Sequence, residues 1–242
     1  MAKIINDIQP RGIASAYVIA PFDEGMEALQ KKGYALISLE DNAQLRIQEG
    51  KDADIARNGN WVREGVLRIP QKGIFLTKRS PMLAHAQEAT QCHRKGQDYY
   101  LTNEQVEQAL EGAVGITEKI IPTNDFKNHP LTVSAFVNHA EAYGQFLQEA
   151  GITNMLIYAS TSETQDKPFV RQLWFWGLGL DSVLGGDGRN LGCDLRVRGV
   201  QKGAVGTAKN IEVYTTQQLK QALNHANIPG LEQTILAELR KQ

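Results

Sequence analysis

Residues 173–200 read Leu-Trp-Phe-Trp-Gly-Leu-Gly-Leu-Asp-Ser-Val-Leu-Gly-Gly-Asp-Gly-Arg-Asn-Leu-Gly-Cys-Asp-Leu-Arg-Val-Arg-Gly-Val. So many glycines rule out a regular helix, because each interior glycine costs roughly 1 kcal/mol relative to alanine. The segment is expected to be exposed loop and turn, held at its ends by a strand at 169–176 and a return strand at 196–200. Loops of this kind, on a rigid scaffold, are where binding residues concentrate.

The rest of the chain supplies that scaffold. With 242 residues, 42% of them apolar, it has enough material for a real core. The 26 Lys and Arg nearly cancel the 27 Asp and Glu, and no basic run appears, so a nucleic-acid partner is not expected. The apolar stretch at 13–20 is interrupted by Ser15 and Tyr17 and is too short for a signal or membrane anchor. The expectation is a protein that is cytoplasmic as synthesised, with surface display left to a signal-less route. Cys92 and Cys193 lie far apart and are expected as free thiols.

Glycine and proline cut the chain into short elements of mixed type. A helix is expected at 22–32, stopped by Gly33, then a strand at 34–39 and a polar stretch at 40–60. Trp61, Val62, Val66, Leu67 and Ile69, followed by Ile74, Phe75 and Leu76, predict a hairpin turning at 70–73. A helix over 81–95 opens with Pro81, and Thr102-Asn-Glu-Gln105 is a capping box opening another through Leu110. Phe136, Ala140, Tyr143 and Leu147 recur at helical spacing, predicting one helix over 132–150 with Gly151 as its cap. A buried strand follows at 155–159 and a polar loop at 160–167. Beyond Gly203, a strand-like 211–214, a second capping box at Thr215-Thr-Gln-Gln218 and an amphipathic helix after Pro229-Gly230 suggest a helical appendage. The domains are therefore expected as 1–203 and 204–242.

One bias in the glycine-rich segment stands out. No Lys, Glu, Gln or Met occurs between Gln172 and Gln201, although together these four types make up roughly a fifth of the chain. Gln172-Leu-Trp-Phe, then Leu178, Ser182, Leu184, Gly186 and Leu191, then Arg196-Val-Arg-Gly-Val200, resembles the variable region of archaeal diversity-generating retroelement target proteins. Gly59-Asn-Trp-Val-Arg-Glu-Gly65, Gly73-Ile-Phe-Leu-Thr77 and Ile121-Pro-Thr-Asn124 extend the resemblance upstream.

The resemblance implies an α+β, C-type lectin-like fold of the formylglycine-generating-enzyme-like subtype. It also implies a reverse transcriptase that rewrites adenine-containing codons. Randomising the first two bases of an asparagine codon never yields Lys, Glu, Gln, Met or Trp, which accounts for the missing types. Leu173, Trp174, Phe175, Leu178, Ser182, Leu184, Gly186, Leu191 and 196–200 then read as framework. The positions implied as variable and ligand-binding are Gly177, Gly179, Leu180, Asp181, Val183, Gly185, Asp187, Gly188, Asn190, Gly192, Cys193, Asp194 and Leu195. Trp176 departs from the codon rule and joins them as the better binding candidate of the two strand tryptophans. The implied function is non-enzymatic binding of a macromolecule, a protein or a surface glycan, with no cofactor.

Other readings compete with these. Asp181, Asp187, Asn190 and Asp194 match no EF-hand spacing, so calcium is not expected. Gly186-Asp-Gly188 lacks the third glycine and following helix of a dinucleotide fingerprint. His85, Glu88 and Cys92 fall on one helix face beside His93, and a metal- or cofactor-dependent enzyme under the same loop is the alternative function. A half-buried helix face explains that trio more simply. Arg196 and Arg198 share a strand face and are expected to bond loop carbonyls rather than an anion.

Overall fold

The computed structural model describes residues 3–8, 14–159, 166–186 and 188–201. The chain divides into Met1–Val205 and Gly206–Gln242, and every described residue belongs to the first unit. The expected appendage, Asp187 and 160–165 of the polar loop lie outside the described residues.

Strands β1 (Ile4–Ile8) and β2 (Ala14–Ala20) pair antiparallel, with Ile4 opposite Val18. Pro21 then leads into helix α1 (Phe22–Gln30), which buries Phe22, Met26 and Leu29 and is followed by Gly33 at φ +80°. The expected strand at 34–39 shortens to β3 (Tyr34–Leu36), because Ser38 already caps the next helix.

That helix corrects the sequence reading. Residues 40–60, expected as a polar stretch, hold α2 (Leu39–Glu49) and α3 (Asp54–Arg57). Ser38 Oγ accepts from the Asp41 amide at 2.9 Å, and the Asp41 carboxylate accepts from the Ser38 amide at 3.2 Å, a reciprocal cap. The helix escapes apolar periodicity because Asp41, Asn42 and Arg46 lie on its buried face. The partners of the last two are distant in sequence: Asn42 Nδ2 donates to Asn60 Oδ1 at 3.0 Å, and Arg46 reaches Tyr143.

The predicted hairpin is present as β4 (Asn60–Ile69) and β5 (Gly73–Thr77), with Ile69 opposite Gly73 at φ +113°. The helix expected over 81–95 is a 3-10 turn at Pro81–Leu83 followed by α4 (Ala86–Arg94). Then come β6 (Tyr99–Tyr100), α5 (Asn103–Leu110) with its Thr102–Gln105 capping box, β7 (Val114–Gly115) and β8 (Ile120–Pro122). The single helix expected at 132–150 is divided into α6 (Pro130–Phe136) and α7 (Ala140–Glu149) where Val137 takes φ +49°. Across that break the Phe136 and Tyr143 rings pack with centroids 4.8 Å apart. The last strands are β9 (Asn154–Tyr158), β10 (Phe169–Phe175), β11 (Ser182–Gly185) and β12 (Leu195–Gln201).

One mixed sheet runs in the order β1-β2-β12-β4-β10-β11-β9-β8. Contrary to expectation, β12 is not the return strand of β10: β4 lies between them, antiparallel to β10 and parallel to β12 at Val197↔Trp61. The neighbour of β10 is instead β11, a strand inside the segment expected to be loop throughout. Central strands β4 and β10 are buried on both faces. Val62, Val66, Leu173 and Phe175 face one core with α2, α6 and α7, while Trp61, Leu67, Ile69 and Val170 face a second with α1, α4 and α5. Strands covered on both sides read as near-continuous apolar runs, which is why they were legible. Among the described residues no helix is long and apolar enough to cross a membrane.

Candidate functional site

The site begins where β10 runs out of its sheet. Alternation along the strand sends Phe175 into the first core, against Phe136 and Tyr143 with centroids 6.1 Å away, and Trp174 and Trp176 to the other side. Register places Trp61 of β4 directly opposite Trp174, with ring centroids 5.0 Å apart and planes at 78°. Trp174 and Trp176 stand at 85° with centroids 6.5 Å apart. Together with Tyr158, Gly185, Gly188, Asn190 and Leu195 the three indoles line a cleft of about 380 Å3. Glycine makes room for them, since a Cβ on Gly59 would sit 2.5 Å from the Trp174 Nε1 and one on Gly185 2.7 Å from the Trp176 Nε1.

From Trp176 the chain leaves the strand and crosses the scaffold as an anchored excursion. Its attachments are mostly to the backbone. Arg46, buried beneath it, donates from Nη2 to the Trp176 carbonyl at 2.7 Å, from Nε to the Ile55 carbonyl at 3.2 Å and from Nη1 to the Tyr143 hydroxyl at 3.0 Å. The guanidinium lies 3.9 Å from the centre of the Phe175 ring. The Leu178 amide donates to the Ala56 carbonyl at 2.6 Å, the Gly186 amide to the Tyr158 carbonyl at 2.7 Å, and the Phe22 amide to the Leu191 carbonyl at 2.8 Å. Arg68 Nη2 holds the Gly186 carbonyl at 3.0 Å. Arg189 grips Asp98 through two contacts of 3.1 Å and donates to the Gly96 carbonyl, while Arg171 holds the same carboxylate at 2.7 Å.

Exposure varies from residue to residue along the excursion. The framework positions Leu173, Phe175, Ser182, Leu184, Gly186, Leu191 and 197–200 are buried, with Trp174, Leu178 and Arg196 half-buried. Trp176, Gly179, Leu180, Gly188, Asn190, Cys193 and Asp194 are exposed, Trp176 at 51% and Leu180 at 94%. Gly177, Asp181, Val183, Gly185, Gly192 and Leu195 are intermediate. Of these, Trp176, Gly185, Gly188, Asn190 and Leu195 meet at the aromatic cleft. Val183 sits instead in β11 opposite Leu156.

Gly177 requires a correction. A Cβ there would lie 2.2 Å from the Arg57 carbonyl oxygen, which is backbone and cannot rotate aside, so Gly177 packs as part of the framework. Gly192 is tight only against the flexible stem of Arg94, and nothing lies within 4 Å of a Cβ on Gly179. Arg196 and Arg198 are structural, but their partner is the Asp54 carboxylate rather than loop carbonyls, and both stack on Tyr17.

The metal candidates do not converge. His85 Nδ1 is 3.9 Å from the Glu88 carboxylate and its ring stacks on Tyr99, while Cys92 packs half-buried against the second core. Among the described residues no group of three or more His, Cys, Asp or Glu could hold a metal ion. Both cysteines are free.

Two buried titratable groups flank the anchors. Burial pushes the Glu64 carboxyl up to about 7, against Arg63 and the amides it accepts from, including that of Leu39 at 3.0 Å. Burial pulls the His93 imidazole down to about 4; Asp98 opposes this and Arg171 and Arg189 reinforce it. A raised carboxyl stabilises the fold below its unfolded value of about 4.5 and loses that contribution as pH rises to about 7. A depressed imidazole stabilises above about 6.5 and loses its contribution as pH falls to about 4. The slopes therefore oppose each other between about pH 4.5 and 6.5. Glu64→Gln is expected to unmask stability that rises with pH in this window, and His93→Gln stability that falls, each approaching one proton in slope. Urea denaturation at a series of pH values reads both, and variants that track the parent would refute the assignment.

These features define a chain with a mixed sheet, flanking helices and a long anchored loop beside an aromatic cleft, the C-type lectin fold. The chain is similar to a solved structure described as "Accommodation of massive sequence variation in Nanoarchaeota by the C-type lectin fold", with a TM-score of 0.58 and 15% identity, over 81% of this chain and 99% of that one. At that identity the likeness concerns the fold. No family model and no curated protein matches the sequence.

Sequence reasoning missed Trp61 and Tyr158 as lining residues and Arg46, Arg68 and Asp98 as anchors. The Ser38-Leu-Glu-Asp41 capping signal could have revealed α2, but not that Arg46 would reach 130 residues along the chain to Trp176.

Proposed function

We propose that this chain is a non-catalytic binding protein whose exposed surface, carried by 176–195, is diversified by a retroelement to recognise changing macromolecular targets, protein or surface glycan. We place its fold in the formylglycine-generating-enzyme-like subtype. The observation that carries the reading is the coincidence between codon logic and burial. Apart from Gly177 and Leu195, which pack on the scaffold, the described positions expected to vary are exposed or half-exposed, while the framework residues between them are mostly buried and the loop is tied largely through main-chain groups. A surface held by its backbone tolerates many side chains without losing its shape. The similar solved structure, reported for sequence variation, supports the same reading.

Sequencing the DNA around this gene tests it. The expected result is a near-copy of the 173–200 coding stretch beside a reverse transcriptase gene, differing where the copy carries adenines. Absence of both leaves only the fold, and the diversification reading is then wrong.

A further inference from the structure

Strand β4 changes neighbours at Arg63. Before it the strand lies beside β12, at Val197↔Trp61, and after it beside β5, at Gly65↔Thr77. The place given up along β12 is taken by β3, with Leu36 opposite Gly199 and Ala35 opposite Val200. The sheet therefore forks. At the base of the fork the Arg63 amide donates to the Ile37 carbonyl at 2.9 Å, and among the described residues β3 pairs with no strand but β12. A cavity of about 600 Å3 lies here, lined by Tyr34, Ala35 and Leu36 together with Arg63, Lys78 and Arg79.

Register settles which main-chain groups of β3 are left over. The Ile37 amide donates to the Arg198 carbonyl at 3.0 Å, so by the alternation of an antiparallel ladder the Ile37 and Ala35 amides point to β12, and the main-chain groups of Tyr34 and Leu36 point away from it. Edge strands are commonly blunted by charged residues or proline, and Tyr34-Ala-Leu36 carries neither.

Charge supplies the second observation. Three of the lining side chains are basic and none is acidic. Lys78 Nζ donates to the Ser134 carbonyl at 2.5 Å, a neutral partner that leaves its charge uncompensated. Arg79 is exposed and has no ion-pair partner among the described residues. Arg63 meets Glu64 at 3.3 Å, and burial pushes that carboxyl up to about 7, so it neutralises Arg63 only in part at neutral pH.

We infer that this fork receives an extended acidic segment of a partner protein, which adds as a strand to β3 and sets carboxylates against Arg63, Lys78 and Arg79. A small anion would answer the charge alone, whereas the alternating donors and acceptors of Tyr34 and Leu36 are matched in register by another main chain. The volume lies within the usual range of ligand clefts, about 300–1,000 Å3, and so takes only a short stretch of chain. No lining residue falls within 176–195, so the partner is a constant one and the inference does not rest on the proposed function.

Fluorescence anisotropy on the full chain tests this with a labelled nine-residue peptide of alternating Glu and Val. Its comparators are the same peptide with Gln for Glu, the acidic peptide N-methylated at alternate main-chain amides, and an oligouridylate. The acidic peptide is expected to bind saturably, with a Kd about tenfold or more below those of the Gln and N-methylated peptides. Arg79→Glu should weaken it about tenfold, whereas Lys51→Glu, the same charge change outside the cavity, should leave it unchanged. Circular dichroism melts show that both variants are folded. The inference is overturned by no saturable binding of the acidic peptide, equal binding of the Gln or N-methylated peptide, or tighter binding of the oligouridylate. Equal weakening by both substitutions would also overturn it, since net charge rather than the fork would then be responsible.

Discussion

Gly177→Ala is expected to destabilise the fold by about 3 kcal/mol, while Leu180→Ala changes it by less than about 0.5 kcal/mol, although both residues lie within the same glycine-rich segment. The added methyl at 177 would sit 2.2 Å from the Arg57 carbonyl oxygen and 2.6 Å from its carbon. Relief requires moving either the end of α3 or the start of the loop, and the loop start is fixed by the Leu178 amide on the Ala56 carbonyl. Leu180, at 94% exposure, touches little that its loss would disturb. Urea denaturation of the two variants measures the contrast. A Gly177→Ala protein as stable as the parent would return Gly177 to the positions free to vary, and a strongly destabilised Leu180→Ala would contradict a surface that tolerates change.

Arg46→Met is expected to cost about 3–5 kcal/mol, the largest effect of any single substitution considered. Arg46 is buried, and burial pulls its guanidinium below the usual arginine value, with Tyr143 opposing and Arg198 adding to the fall. Methionine fills much of the volume but donates nothing. The carbonyls of Ile55 and Trp176 and the Tyr143 hydroxyl lose a charged donor together, and the Phe175 face loses its cation. Tyr143→Phe removes one of these contacts and should cost about 1 kcal/mol. If Arg46→Met were as stable as the parent, the guanidinium would not be what fixes the loop start, and the origin of its order would lie in the main-chain bonds alone.

The anchors show why a reading from sequence succeeded in some places and failed in others. The β4–β5 hairpin, α1, α5 and the strand before the loop were legible because their signals are local: apolar runs, a turn at 70–73, Pro21 before a helix, a Thr-x-x-Gln box. Helix α2 was not, because its buried face carries Asp41, Asn42 and Arg46, and the partners of Asn42 and Arg46 sit on β4, α7 and the loop. The break at Val137 was equally hidden, since both halves keep their helical spacing. The division of 173–200 into framework and variable positions came from resemblance and codon logic, and the packing of Gly177 on the Arg57 carbonyl and of Leu195 on the second core had no local trace to reveal it.

The sequence by itself determined that residues 173–200 could not be helix and that strands would form over 61–69, in a hairpin turning at 70–73, and over 169–176. These follow from backbone entropy and side-chain periodicity, which act within a few residues. Tertiary structure alone decided that β4, rather than β12, would lie beside β10, and hence that Trp61 would stand opposite Trp174 and complete the cleft. Strand order and register are set by the simultaneous burial of two cores on either side of one sheet, a property of the whole chain that no short window contains.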